Sequence, residues 1–267
     1  MVNTMGSKSE PYAGGEADEQ VIEALVREAH RLMAPALARI KRSDGAVGIV
    51  RCGLGRLLVV VTGRGVARIF FLDRGPSVPL LASLRLKFDL SADPAAVRPV
   101  GEAIGRFLAG ELDALAGPVD LTAVAGRFQS RALSRLREVP PGAVVTYQGL
   151  AAALGAAQSQ RAVGNAMARN PVPLYVPCHR VVRSGGLLGS YGGGVERKLR
   201  LLEIEGFSVE RGGRLTGTLI GNRRTRIFCR AGCPAARRID PGHAMTLASV
   251  ERARRAGLRP CQICEPA

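Results

Sequence analysis

Apolar residues near the start of the chain recur at helical steps: Val21, Ile22, Leu25, Val26, Ala29, Leu32 and Met33 fall three and four apart. That spacing predicts an amphipathic helix over 19–42, with Pro35 expected to kink or end it. Residues 1–18 are polar and glycine-containing and read as a disordered tail. After the turn signal Ser43-Asp44-Gly45 the rhythm changes. Three β-rich runs, 46–51, 57–62 and 66–72, are separated by glycine-rich breaks at 53–55 and 63–65, which predicts an antiparallel meander. Helical patterns follow at 80–88 and 94–108, then a short strand at 118–121. Residues 43–122 therefore read as an α+β domain with helices on an antiparallel sheet.

A second domain is expected over 123–210. An amphipathic helix at 128–139 is closed by Pro140-Pro141. A β-rich run from Val144 leads into an alanine-rich helix that ends at Gly155. A further helix over 158–169 makes the pair a helix-turn-helix. Ala162, Gly164, Ala166 and Ala168 keep this second helix slim, which suits close approach to DNA or tight packing inside the domain. Arg161 and Arg169 at its ends favour DNA. A glycine-rich loop with Tyr191 spans 183–194, and a helix over 195–205 stops at Gly206. Residues 211–221 read as a linker, or a glycine-rich hairpin, leading to a small C-terminal domain, 222–267.

At 267 residues and 46% hydrophobic, the chain can bury a sizeable core. It has no apolar run of membrane-spanning length. A cytoplasmic setting is expected, where thiols stay reduced. The net charge of +16 suits a polyanionic partner, or a solvated arginine-rich surface.

In a reducing compartment the six cysteines are candidates for catalysis or metal binding. Cys178 directly precedes His179. An imidazole can take a thiol's proton near neutral pH, and the thiolate is the nucleophile. The pair alone is equally a small buried cysteine beside a histidine; its flanks decide. The tail carries Cys229-x3-Cys233 and Cys261-x2-Cys264, spacing that can close a tetrahedral zinc site, with two disulfides as the alternative. Cys52, at a strand end, reads as structural, and His30 and His243 as surface residues.

The flanks carry a specific pattern: Phe128-Gln129, Val139-Pro140-Pro141-Gly142, Tyr147, Arg161-Ala162-Val163-Gly164, Asn170-Pro171, Pro177-Cys178-His179-Arg180-Val181, Tyr191-Gly192-Gly193-Gly194 and Glu205-Gly206. In this order they resemble the O6-alkylguanine-DNA alkyltransferase family. The resemblance is strongest over 128–206, continues more weakly over 47–121, and does not reach the first 42 residues. It implies a suicide methyltransferase, without organic cofactor, that repairs double-stranded alkylated DNA. The alkyl group of O6-alkylguanine, or O4-alkylthymine, moves irreversibly to Cys178. The resemblance further implies that His179 takes the thiol proton through a water and that Glu205 orients the imidazole. Tyr147 would protonate the leaving guanine, and Asn170 would brace the turn. Arg161 would fill the space left by a flipped base, with Ala162 and Gly164 against the minor groove. Met167, Val181 and Tyr191 would wall the pocket. Many members carry a serine after the loop tyrosine; here Gly192 stands there, leaving the backbone of Gly192 and Gly193 as donors.

Thr225 to Arg230, Cys233-Pro234 and Ala256 to Cys264 resemble the zinc domain of the Ada adaptive-response family. That resemblance implies zinc on Cys229, Cys233, Cys261 and Cys264, with Cys229 as a possible acceptor of phosphotriester methyl groups. A purely structural zinc module is the rival. For the whole chain the rivals are a non-catalytic sensor of alkylated DNA, a methylation-responsive regulator and a Cys-His hydrolase. No obligate protein partner and no membrane association are expected.

Overall fold

In a computed structural model of the chain, residues 16–37, 42–216, 219–230 and 233–266 are described. They belong to two compact units, 1–123 and 124–267. Among the described residues no helix is long and apolar enough to cross a membrane.

In the first unit, strands β1 (Ser43–Cys52), β2 (Gly55–Thr62) and β3 (Gly65–Phe71) form the expected antiparallel meander. The helix predicted at 80–88 is shorter, α2 (Val78–Arg85), and the chain then forms a strand, β4 (Phe88–Ala92). This strand pairs parallel to β1, so the sheet is mixed, in the order β3-β2-β1-β4. Phe88 and Leu90 point into the core while Asp89 points out. Helix α1 (Glu16–Leu37) begins inside the predicted tail. The reason is Asp18, which is buried and accepts a 2.6 Å bond from Arg51 Nε. Pro35 does not end α1, and the expected continuation over 38–41 lies outside the described residues, as does the rest of the tail. Helix α3 (Pro94–Leu108) has its predicted span. Asp93 caps it by accepting from Ala96 N at 3.0 Å, and Pro94 fits its first turn. The strand expected at 118–121 is reduced to a bridge between Val66 and Val119.

The second unit begins with α4 (Arg127–Arg137), β5 (Ala143–Thr146), α5 (Tyr147–Ala153) and α6 (Gln160–Ala168). Thr146 caps α5 by accepting from Gly149 N at 2.9 Å, so the helix starts at Tyr147. A short strand, β6 (Val181–Val182), and helix α7 (Val195–Ile204) follow. Of the two readings for the segment before the tail, linker or hairpin, the hairpin is the one seen. A hairpin of β7 (Ser208–Val209) and β8 (Leu215–Thr216) is followed by β9 (Leu219–Asn222). The tail adds β10 (Ile227–Arg230), α8 (Pro234–Arg237), β11 (Ala244–Leu247), α9 (Val250–Arg255) and β12 (Arg259–Pro260).

One sheet runs through all of this, in the order β12-β10-β9-β11-β5-β6. β11 pairs antiparallel with both β9 and β5. The small cysteine-bearing region is therefore continuous with the sheet that leads to Tyr147 and follows Arg180. Backbones also approach closely across this junction. A Cβ at Gly149 would lie 2.9 Å from Pro241 O, and one at Gly242 would lie 3.2 Å from Ala152 C.

Gly221 in β9 shows how tight the shared sheet is. A Cβ there would lie 2.7 Å from Leu258 Cδ2 and 2.8 Å from Leu247 Cδ1. Gly221→Val is expected to destabilise the second unit by about 1–3 kcal/mol through overpacking. Urea unfolding of parent and variant measures this, and an unchanged midpoint would contradict the packing described.

Candidate active site and metal centre

Asn170 organises the turn ahead of the thiol. Its Oδ1 accepts from Val172 N at 3.1 Å. Its Nδ2 donates to Val176 O at 2.8 Å and to Cys178 Sγ at 3.0 Å. Inside this turn Leu174 is buried and held at φ 77°, a left-handed conformation that is costly for leucine. Cys178–Arg180 then make one 3-10 turn before β6.

Behind the thiol lies a buried ionic network. Glu205 and His179 are fully buried, and Arg180 nearly so. Glu205 Oε1 lies 2.9 Å from His179 Nε2. Arg180 Nε donates to both carboxylate oxygens, at 2.9 and 3.1 Å, and its Nη1 donates to Val139 O at 2.6 Å. Gly142 N donates to Glu205 Oε2 at 3.2 Å. Burial alone would raise the carboxyl's pKa, but Arg180 and then His179 outweigh it and hold Glu205 down at about 2. An ionised carboxylate only accepts, so His179 carries its proton on Nε2. Nδ1, buried and without a hydrogen-bond partner among the described residues, is left as the basic nitrogen. Burial lowers the His179 pKa, so the ring is neutral at pH 7. Burial raises the Cys178 thiol, opposed by Asn170 and Lys198. The resting pair is thus thiol and neutral imidazole, and the proton moves during reaction.

Tyr147 and Tyr191 both face this centre. Burial raises the pKa of each phenol, and the Cys178 charge adds to the effect. The Tyr191 ring stands edge-on to His179, with centroids 6.5 Å apart. Met167 and Val181 are buried nearby in sequence order, on α6 and β6. Gly193 O accepts from Arg197 Nη1 at 2.9 Å, which ties the loop to α7. Gly192 is exposed with open space around it. Arg161 is exposed on α6, and Ala162 and Gly164 are half-buried. Val163, Ala166 and Met167 bury the other face of that helix.

Two residues in the centre had been given no role from sequence. Arg180 was read as part of a motif, yet it supplies most of the charge that keeps Glu205 ionised. Lys198 is fully buried. Its Nζ donates to Val181 O at 2.7 Å, to Ser190 O at 3.5 Å and to Leu188 O, tying the active-site loop to β6. Burial lowers its pKa to about 8, with the Cys178 charge opposing. Its position in sequence was the available signal, since it shares a helical face with Leu201 and Leu202.

The four tail cysteines come together because β12 runs parallel to β10. Cys261 N bonds Phe228 O at 2.9 Å, which sets the second pair beside Cys229 and Cys233. The four sulfurs lie within 4.8 Å of one another. Zinc–sulfur bonds of about 2.3 Å in a tetrahedron place sulfurs about 3.8 Å apart, so the donor set fits zinc. Arg230 N and Ile263 N donate to Cys264 and Cys261 sulfurs, each at 3.4 Å, as outer support. All four are free thiols rather than disulfides. A cavity of about 390 Å³ reaches this centre, and Cys229, Cys261, Thr225, Arg238 and Arg259 line it.

Both sites have counterparts among known proteins. Residues 127–207 match the 6-O-methylguanine DNA methyltransferase, DNA binding domain, and residues 210–267 match the metal binding domain of Ada. The bifunctional transcriptional activator/DNA repair enzyme Ada of Escherichia coli is 37% identical over 164 residues, 60% of this chain and 45% of that protein. This chain therefore spans less than half of that relative. A crystal structure of Mycobacterium tuberculosis OGT in complex with DNA is similar at a TM-score of 0.51 and 30% identity, over 60% of this chain and 92% of that one. A methylated-DNA–protein-cysteine methyltransferase of Methanothermobacter thermautotrophicus is 38% identical over 139 residues, 52% of this chain and 77% of that protein. Because that relative is 38% identical and is covered over 77% of its length, and residues 127–207 match the methyltransferase domain, the chain belongs to the methylated-DNA–protein-cysteine methyltransferase family.

Proposed function

We propose that the chain repairs alkylated double-stranded DNA by direct reversal, with Cys178 as the single-use acceptor. The observation that carries this reading is the buried chain Cys178, His179, Glu205 and Arg180, with Asn170 donating to the sulfur. Once a guanine is flipped from the stack, the Cys178 sulfur attacks the alkyl carbon on O6. A C–S bond forms and the C–O bond breaks. The thiol proton passes to His179 Nδ1, through a water, as Glu205 holds the ring. Asn170 and Lys198 stabilise the negative sulfur, and guanine leaves after taking a proton at N3 from Tyr147. Met167, Val181 and Tyr191 wall the pocket, and Gly192 and Gly193 offer backbone donors. Arg161 occupies the vacated space in the duplex, with Ala162 and Gly164 letting α6 lie close in the minor groove. Such chemistry needs a reduced thiol, which suits a cytoplasmic setting.

Cys229, Cys233, Cys261 and Cys264 would hold zinc as thiolates, the metal when bound keeping them deprotonated. Within that set Cys229 is the proposed acceptor of a methyl group from a backbone phosphotriester. The cavity beside it supports this reading, because Cys229 and Cys261 line it whereas Cys233 and Cys264 do not. The Cys229 sulfur would bond the methyl carbon as the phosphate oxygen leaves with the electron pair. A separate structural role for the zinc would leave this cavity unused.

Three outcomes are expected. Treatment with O6-methylguanine duplex should add one methyl group per chain at Cys178, seen by intact mass and peptide mapping. Cys178→Ala should abolish that transfer, and Arg161→Ala should slow repair of duplex far more than reaction with free O6-benzylguanine. An unmodified Cys178 beside intact lesion would sink the proposal.

The second concerns acid. The Glu205 pKa lies below its ordinary value, so its contribution to stability is complete above about pH 4.5 and is lost as pH falls towards 2. The shift corresponds to about 3 kcal/mol. Urea unfolding between pH 2 and 7 should show this loss in the parent and a flatter acid limb in Glu205→Gln; parallel limbs would contradict it.

The third uses Cys178→Ala protein with DNA bearing methyl phosphotriesters. A methyl group should appear on Cys229. Intact zinc without any transfer would reduce the centre to a structural one.

A further inference from the structure

Away from both cysteine sites, two parts of the second unit turn arginines towards each other. Helix α4 contributes Arg135, with Glu138 just beyond its end. The β9–β10 turn contributes Arg223, Arg224 and Arg226, and His243 lies beside β11. Together they line a cavity of about 460 Å³. Asn222 Oδ1 shapes the turn by accepting from Arg224 N and Thr225 N, at 2.9 and 3.2 Å. Arg226 sits at φ 59° and donates to Ala256 O, which fixes the far side of the turn.

The guanidinium groups here are not satisfied. Arg135 Nε and Arg223 Nε and Nη1 are buried without hydrogen-bond partners among the described residues. Arg223 donates from Nη2 to Gly242 O at 3.1 Å and makes no ion pair among the described residues. Among them Glu138 is the carboxylate that lines the cavity. It pairs with Arg135, and its side chain is 55% exposed. Burial, and next the charge of Arg135, depress the Arg223 pKa, with Glu138 opposing. A buried donor left unpaired is costly, and a solvated surface would turn these side chains outward instead.

The missing partner must be acceptor-rich and negative. A carboxylate satisfies one guanidinium fork. Three unpaired donor nitrogens from two guanidinium ions, with Arg224 and Arg226 at the rim, match the several oxygens of a tetrahedral oxyanion. We propose that this cavity binds a phosphate group, supplied by the DNA backbone or as the free ion. The site uses none of the residues assigned to alkyl transfer or to zinc, so it stands or falls separately from those readings.

The test uses the full zinc-loaded chain and Arg223→Met, with zinc content as the check on folding. Affinity for an unmodified duplex is measured across a range of salt. If a backbone phosphate is the ligand, the slope of log K against log salt should be smaller by about one in Arg223→Met. In a second arm, inorganic phosphate is titrated against chloride at equal ionic strength and the unfolding midpoint is followed. A phosphate-dependent rise in the parent that is absent from the variant, with equal DNA slopes, would identify the free ion as ligand. Should Arg223→Met lose its zinc, Arg224→Gln at the exposed rim is read in the same two assays, with smaller losses expected. Equal slopes together with equal phosphate responses in parent and variant would overturn the proposal.

Discussion

A single buried carboxylate holds the second unit together. Glu205 has no exposure to water, and its charge is kept by Arg180 and His179 rather than by solvent. Such a group is costly unless every lone pair is used. Here two oxygens receive bonds from His179, Arg180 and Gly142. The carboxylate thereby fixes the tautomer of the His179 ring, the arginine after it, and the backbone at the start of β5. Gly142 in turn accepts from Ala248 N at 2.9 Å, just past β11. Four residues beyond Ala248 lies Arg252, whose stem fills the space a Cβ at Gly142 would need. The orientation of the base and the seating of the zinc region are therefore parts of one hydrogen-bonded arrangement.

The chemistry was readable from sequence because it sits in short, dense stretches. Cys178 and His179 are adjacent, Asn170 lies one turn earlier, and each cysteine pair is nearly contiguous. Helix α3 has the span its helical pattern predicts, with Asp93 as its cap. What escaped reading was pairing between distant segments. β4 offers only Phe88 and Leu90 as inward positions, too few to show a period of two beside a helical pattern. β9 and β11 are four residues each, and glycine in and before β9 suggested a linker. Gly221 is there because the sheet is crowded, not because the chain is loose. Lys198 and Arg180 were missed for a related reason: their roles depend on carbonyls and a carboxylate contributed from elsewhere in the fold.

The arginine cavity shows the opposite balance from the Glu205 network. Around Glu205, charges of both signs are matched inside the protein. Around Arg223 they are not, and the surplus is positive in a chain that already carries +16. Retaining unmatched donors lowers stability, so the two regions divide between groups that hold the fold and groups set to meet a polyanion.

The shared six-stranded sheet also constrains how this chain can change over generations. A module on a tether can be lost, duplicated or exchanged with little harm to its neighbour. Here β5 has β11 on one side and β6 on the other, and β6 follows directly from the Cys178–Arg180 turn. Recombination that removed the region from β9 onward would open an edge at β5, one strand from that turn. A one-residue insertion in β11 would turn its side chains to the wrong face of the sheet against two partners at once. The two halves are thus inherited as one fold, and substitutions on either side of the junction are selected against a common background.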